Sequence, residues 1–444
     1  MNWAYLLPAI VTILAAIAAA ILACIPGLHI YNLLGLLLWI CFQTITTGTI
    51  APEIIVAVIV ATISAYAVGN TIPAILLAAP DESALHTVLP GQKMLLAGKG
   101  REAVMFTAHG SFAALLAILV ALPLLPMILP TIYDVTRPHT HWIIWAIILF
   151  MLLSEWPKPI PPGKKPLQRF LLANKANTIG LIVFGLSGLL GFVLFFRSPL
   201  PFANAFLNLM PAFVGLFTLP WLLYNACSNL QPPPQQPYSP NHNTLHRANL
   251  RHGALAGILG GGIAAFFPVI TGGIGGMLAG HATALRNSQA FLISQGASKT
   301  VYYAGGILLL FMPDLHLARG GGAWMLRTTV LPGSPHLYWL AGGAAILGGA
   351  IALLLLMPLA SLTLRLVATV GYRNISALAA ALVVALVAFF SGWIGIAVML
   401  IATGIGLLPL FHGTRRMNAL GIILLPIACS MSGIAPIITR ILFE

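Results

Sequence analysis

The chain has 444 residues, 59% of them hydrophobic and only 7% charged, whereas a soluble domain carries about 25% charged residues, so a water-facing globular surface is excluded. The net charge of +13 comes from 21 Lys and Arg against eight acidic residues. These cations are scattered through short loops, which excludes a basic nucleic-acid face and fits the excess of cations that membrane proteins keep on the cytoplasmic side. Apolar stretches of the roughly 20 residues that a bilayer core asks of a helix recur from end to end, without the alternation of barrel strands. The expected fold is all-α, a polytopic membrane protein of about 12 transmembrane helices.

In chain order, residues 4–24 lack the basic start and small-residue cleavage site of a signal peptide and read as the first span. Further spans are expected at 33–49, 53–68, 104–129, 142–153, 178–196 and 206–224. A polar stretch, 231–252, opens on Gln-Pro-Pro-Pro-Gln-Gln-Pro and has the composition of an exposed linker. It separates a first membrane repeat, 1–230, from a second, 253–444. The second half holds apolar segments at 253–267, 270–285, 289–311, 337–357, 362–370, 375–390, 394–410 and 420–442, several too short or too broken by Gly and Pro to cross alone. Lys158, Lys164, Lys165, Arg169 and Lys175, with no acidic neighbour, place their loop in the cytoplasm; Arg247 and Arg251 of the linker and the loop with Lys93, Lys99 and Arg101 are expected on that side too. The four cysteines, Cys24, Cys41, Cys227 and Cys429, stand singly and read as packing residues.

The two halves repeat an order of signals. A break at Ile25-Pro26-Gly27-Leu28 is followed by Asn70-Thr71, an apolar run over 72–79 and Pro80-Asp81. A break at Phe267-Pro268-Val269-Ile270-Thr271-Gly272-Gly273 is followed by Lys299-Thr300, an apolar run over 301–312 and Pro313-Asp314. These are the only Pro-Asp pairs in the sequence, 233 residues apart. Inverted repeats with re-entrant or broken helices at matching positions point to a transporter's binding site, because broken backbone at membrane depth has to be buried in protein or line a wet cavity.

The substrate site is therefore expected at Pro26, Gly27, Asn70, Thr71 and Pro73 from the first half and at Pro268, Thr271, Gly272, Gly273, Ser298, Lys299 and Thr300 from the second. Half-helix N-termini there would offer free N–H groups to an anion, and the uncharged side chains, with Thr46 and Thr47 nearby, would bind polar groups without the cost of a buried charge. For each of these taken alone, close helix packing or helix-to-helix hydrogen bonding is the plainer role. Lys299 has three readings: an anion-facing charge, an occupant of a coupling-cation position, or a snorkelling lysine. Asp81 and Glu82 read equally as helix caps at the membrane boundary or as part of a site on a re-entrant segment; with Asp314 they are the candidates for gating or ion coupling. Glu53, at a span start, complements the helix dipole. His29, His109 and His281 rank lower as proton relays. Gly260-Gly261-Gly262 follows no strand, and Gly320-Gly321-Gly322 reads as a loop beside Arg319 without a phosphate-loop ending. No metal site and no enzyme signature is expected.

The stretch 69–100, GNTIPAILLAAPDESALHTVLPGQKMLLAGKG, resembles the core of the large membrane subunit of tripartite tricarboxylate transporters, and Ile25-Pro26-Gly27-Leu28 is similar to that family's Pro-Gly signature. Where typical members read Pro-Gly-x-Pro, this chain has Pro80-Asp81-Glu82-Ser83, which with Val88-Leu89-Pro90-Gly91 looks more like a stand-alone branch found in archaea. The second-half signature, expected as Pro-Gly-x-Gly, is here Pro268-Val269-Ile270-Thr271-Gly272-Gly273. The resemblance implies an inverted-repeat secondary transporter in the cytoplasmic membrane of a prokaryote, driven by Na+ or H+ and needing no other cofactor, with a small anionic, carboxylate-like solute at the repeat interface. Typical members work with a soluble binding protein and a small membrane subunit; for this chain those partners, and a homo-oligomer, stay open. The alternatives are a transporter or flippase of a phosphorylated or lipid-linked substrate and, in another class, a membrane-embedded lipid-modifying enzyme.

Overall fold

The computed structural model describes residues 3–46, 50–83, 85–155, 163, 165–199, 209–228, 232–236, 245–283 and 287–444. Thr47, Lys158 and Lys164 lie outside the described residues. In the first half, α1 (Trp3–Leu22), α2 (Ile30–Thr46), α3 (Pro52–Gly69) and α4 (Thr71–Leu76) precede the loop that carries Asp81 and Glu82. They are followed by α5 (Val88–Leu96), α6 (Gly100–Ala121), α7 (Leu125–Thr136) and α8 (Thr140–Leu153). Next come α9 (Pro166–Ala173), α10 (Lys175–Phe196), α11 (Leu209–Phe213) and α12 (Leu219–Cys227). The second half contributes α13 (Arg247–Phe266), α14 (Gly272–Ala282), α15 (Ser288–Phe311) and α16 (Gly320–Arg327). It ends in α17 (Pro335–Val370), α18 (Tyr372–His412), α19 (Gly421–Met431) and α20 (Ala435–Phe443).

Among the described residues six segments are long and apolar enough to cross a membrane: Pro52–Leu76, Gly100–Ala121, Lys175–Phe196, Leu209–Cys227, Pro335–Val370 and Tyr372–His412. A seventh forms if Arg416–Met431 and Ala435–Phe443, bent by 119° at their junction, count as one span. The expected pair 337–357 and 362–370 is a single helix, α17, which continues through Pro358; neighbouring groups in a membrane protein re-satisfy the carbonyl that proline leaves free. The expected pair 375–390 and 394–410, by contrast, is two helical segments that meet at a kink within α18 at Gly392, where φ is 60° and ψ −160°.

Two compact units divide the chain, Met1–Tyr133 with Leu222–Ala381, and Asp134–Trp221 with Leu382–Glu444. Each draws one stretch from the first half of the chain and one from the second. At the centre of the first unit are α3, buried at every position from Ile55 to Gly69 except Val58, and α15, buried over most of its length. Apolar or small residues all round a helix are what such a position requires. Small residues set the spacing around α15. Gly253, Gly257 and Gly261 recur every fourth residue on one face of α13; a Cβ on Gly253 would lie 2.5 Å from the Ala290 carbonyl oxygen, and one on Gly261 2.6 Å from that of Ser298. Gly110 of α6 and Gly296 of α15 meet carbonyls of Ile293 and Thr107 in the same way, and the Ser111 hydroxyl donates to the Gly296 carbonyl at 3.2 Å. This is the small-residue packing that lets membrane helices approach backbone to backbone.

Residues 232–236 dock on the α5–α6 turn of the same unit. Gln236 donates its N–H to the Gly98 carbonyl at 2.9 Å, Gly100 donates to the Gln235 Oε1 at 2.8 Å, and Gln235 Nε2 donates to the Leu95 carbonyl at 3.0 Å. In the second unit, Glu155 accepts from the backbone N–H of Arg415, whose guanidinium donates to Ser154 at 2.8 Å; Trp145 donates to Ser432 at 2.8 Å.

Candidate functional site

Two proline-centred turns shape the site. After α1 the chain turns at Pro26-Gly27, where Gly27 takes a φ of 84° that only glycine adopts freely. After α13 it turns at Pro268-Val269, and Val269 takes a φ of 59°, a position in which a β-branched residue is a genuine outlier. The matched breaks thus share one backbone device, a left-handed residue directly after the proline. The first turn leads to His29 at the head of α2. The second leads to Thr271, the N-cap of α14, whose hydroxyl donates to the Glu82 carbonyl at 3.4 Å. Gly273 lies in the first turn of α14, where a Cβ would come within 3.2 Å of the Ser83 carbonyl oxygen and 3.3 Å of that of Glu82.

At Asn70–Pro73 the helix is only mildly interrupted. Asn70 keeps helical angles (φ −64°, ψ −7°) between α3 and α4, so the two helices read on as one segment, and Leu77 and Ala79 both donate to the Pro73 carbonyl, at 3.0 and 3.1 Å. Asn70 instead contributes its side chain. Lys299 Nζ donates to Asn70 Oδ1 at 2.6 Å and lies 3.1 Å from Asp81 Oδ2, 5.5 Å from the centre of the Tyr66 ring and 6.0 Å from that of Tyr303. The Lys299 side chain is therefore directed into protein and is no interface snorkel. Neighbouring Ser298 donates to the Gly272 carbonyl at 2.7 Å, tying α15 to the first turn of α14.

Asp81, Glu82 and Lys299 are each no more than 4% exposed, so Asp81 and Glu82 are not caps at the membrane boundary. Every oxygen of the Asp81 carboxylate is engaged. Oδ1 accepts from the Ser83 hydroxyl at 2.7 Å and the Ser83 N–H at 3.1 Å; Oδ2 faces Lys299 and accepts from the Tyr303 hydroxyl at 3.2 Å. Glu82 Oε2 pairs with His29 Nε2 at 2.5 Å, while Glu82 Oε1 is buried and has no hydrogen-bond partner among the described residues. His29 Nε2 and the two carboxylates converge within 4.8 Å of one another. Beside this cluster, a small cleft is lined by Tyr31, Tyr302, Tyr303, Arg319 and Gly320 to Gly322.

Of the expected site residues, the structure brings Asn70, Lys299, Asp81, Glu82, Thr271, Gly272, Gly273 and Ser298 together. Thr71 and Thr300 are buried on the same helices. Asp314 is exposed, in a left-handed turn beyond α15, away from Asp81 despite the matching Pro-Asp pair. Gly320 to Gly322 correct the expectation of a loop: they form the first turn of α16. His109 and His281 hydrogen-bond the carbonyls four residues back, Met105 and Met277, at 2.7 and 2.9 Å, as ordinary helical histidines do. The structure promotes His29, and it adds Ser83, Tyr66, Tyr303 and Tyr31, which the sequence reading missed. Their signal was present: Tyr66 stands four residues before Asn70 and Tyr303 four after Lys299, so each shares a helix face with its polar partner.

Compared with known proteins, the chain matches the model of the tripartite tricarboxylate transporter TctA family over residues 10–421. No curated protein and no solved structure matches it.

Proposed function

The chain belongs to the tripartite tricarboxylate transporter TctA family, a family of transport proteins, and on that premise we propose that it is a cation-coupled secondary transporter of a small anionic, carboxylate-like solute. It would act in the cytoplasmic membrane of a prokaryote, with about 12 spans arranged as two inverted repeats. The observation that carries this reading is the meeting of Asn70 and Lys299 at 2.6 Å. They are the corresponding positions of the two halves, and they touch in the buried interior of the first unit, close to Glu82, which meets His29 from beyond the first proline turn and Thr271 from beyond the second. Inverted-repeat carriers bind substrate at such a junction.

In this reading the anion lodges against Pro26-Gly27, Thr71 and the first turn of α14, whose N–H groups and partial positive charge face it. Lys299 is the anion-facing charge. Asp81 is the gate: its carboxylate holds the ammonium in the arrangement seen and yields it to the substrate's carboxylate, so an acidic residue beside an anion site does not repel the ligand. The coupling ion is Na+ or H+. Genes for a soluble binding protein and a small membrane subunit next to this one would make it one part of a tripartite system; their absence would make it a stand-alone carrier.

The test is flux into proteoliposomes for a panel of carboxylates, amino acids and phosphorylated lipids, with and without Na+ and H+ gradients. Gradient-dependent uptake of a carboxylate is expected. No gradient-dependent flux of any solute would sink the proposal, and flux confined to the lipids would replace it with the flippase reading.

A further inference from the structure

We propose that the cation coupled to transport is a proton, carried on the Glu82–His29 pair, and that Lys299 serves as a built-in cation that closes the rest of the cluster to metal ions. The inference rests on the transporter reading above and names the coupling ion that reading leaves as Na+ or H+.

His29 Nδ1 accepts the backbone N–H of Tyr31 at 3.2 Å, so the ring's own proton sits on Nε2 and donates to Glu82 Oε2; the tautomer follows from the hydrogen-bond network. With that neutral imidazole the cluster holds one positive charge, Lys299, against two carboxylates. It is one positive charge short in a place where an uncompensated charge is expensive. The free oxygen is equally specific: Glu82 Oε1 is buried and unpartnered, and Glu82 is 2% exposed.

A metal ion fits the remaining vacancy poorly. Hard cations gather about six or more oxygens. Both oxygens of Asp81 are taken, by Ser83 on one side and by Lys299 and Tyr303 on the other; Asn70 Oδ1 holds Lys299, and the Glu82 carbonyl holds Thr271. Of the four carboxylate oxygens in the cluster, Glu82 Oε1 is the one without a hydrogen-bond partner among the described residues. A proton needs just that one atom. Taken from water on one side of the membrane, it converts the Glu82 carboxylate to a carboxyl and brings the cluster to neutrality; released on the other side, it restores the carboxylate. The titratable groups facing Glu82 are His29 and Tyr31 from α2 and its approach, Tyr66 from α3, Asp81 from its own loop, and Lys299, Tyr302 and Tyr303 from α15. Lys299 balances Asp81, the tyrosines are neutral, and Glu82 with His29 is left as the pair whose charge changes.

Two measurements on the full chain test this. Infrared difference spectra between acid and alkaline buffer are expected to show one protonated-carboxyl band that vanishes at high pH, is unchanged by sodium, and is lost in Glu82→Gln; where that variant does not fold, Glu82→Asp is expected to shift the band. Citrate uptake into proteoliposomes is expected under an inward proton gradient with sodium absent from both sides, and not under a sodium gradient alone. The proposal is overturned if no carboxyl band titrates, if the band survives Glu82→Gln or stays unmoved in Glu82→Asp, if sodium removes it, or if a sodium gradient alone drives uptake. A titrating Glu82 band together with no citrate flux under any gradient supports the proton site and counts against citrate as a substrate, so the two readings fail separately.

Discussion

Lys299 and Asp81 form an ion pair with both partners almost wholly out of solvent, and the cost of keeping such a pair appears when half of it is removed. Lys299→Met would leave Asp81 charged and buried with only Ser83 and Tyr303 to hold it; Asp81→Asn would leave the ammonium with Asn70 and two ring faces. Each single change is expected to lower stability by about 3–5 kcal/mol, and the joint replacement Lys299→Met with Asp81→Asn by clearly less than the sum, because no unpaired charge then remains. Thermal unfolding of the purified variants in detergent checks this; a joint loss equal to the sum would mean that the two charges do not act as a pair. Val269 offers a change in the other direction. Its left-handed backbone costs a non-glycine residue about 1–2 kcal/mol, so Val269→Gly is expected to raise the unfolding temperature slightly, offset by the extra freedom glycine gains in the unfolded chain. An unfolding temperature below that of the parent would show that the Val269 side chain contributes more by packing than its backbone loses. At this scale the sequence marked Asn70, Asp81, Glu82 and Lys299, because charge and amide groups in an apolar run stand out. It did not mark Tyr66 or Tyr303, because an aromatic residue on a membrane helix looks the same whether it packs on lipid or over an ammonium.

The position of Lys299 is inherited from α15, and that of α15 from the glycines around it. Gly257 of α13 lies against the Ser294 carbonyl, where a Cβ has no room, whereas Gly262 of the same helix has nothing within 4 Å of a Cβ. Gly257→Val is therefore expected to push α13 off α15, lowering stability by several kcal/mol in the manner of overpacking and disturbing the Asn70–Lys299 contact. Gly262→Ala is expected to be tolerated or mildly stabilising, since alanine is the better helix former. Unfolding temperatures of the two variants, read side by side, distinguish a role in packing from a general intolerance of α13 to substitution. Helices were legible from apolar length, but their ends were not. The gap between the expected segments 337–357 and 362–370 is passed through by one helix at Pro358, since proline is tolerated in membrane helices; at Asn70–Pro73 the helix is only mildly interrupted. The turns at Pro26-Gly27 and Pro268-Val269 were legible because proline and the left-handed residue act on the backbone locally, whatever surrounds them.

For the whole molecule, the polar stretch around 231–252 reads as the divide between two repeats, and each compact unit takes a stretch from both halves of the chain. Pattern along a chain records where hydrophobic runs stop; it carries little about which runs pack together, since lipid and protein interiors are equally apolar and set no pattern of their own. Sidedness is a different matter, because charge in the loops does record it. The sequence puts Lys93, Lys99 and Arg101 on the same side as the linker, and the structure joins them, with Gln235 and Gln236 bonded to the turn between α5 and α6. On the positive-inside bias, that side is expected to be the cytoplasm. Lys99 is half exposed, its side chain at 51%, and suits a labelling test: Lys99→Cys, in a chain whose Cys24, Cys41, Cys227 and Cys429 are replaced, is expected to react with a membrane-impermeant maleimide in inside-out vesicles and to stay unlabelled in intact cells. Labelling from outside the cell would invert the whole topology.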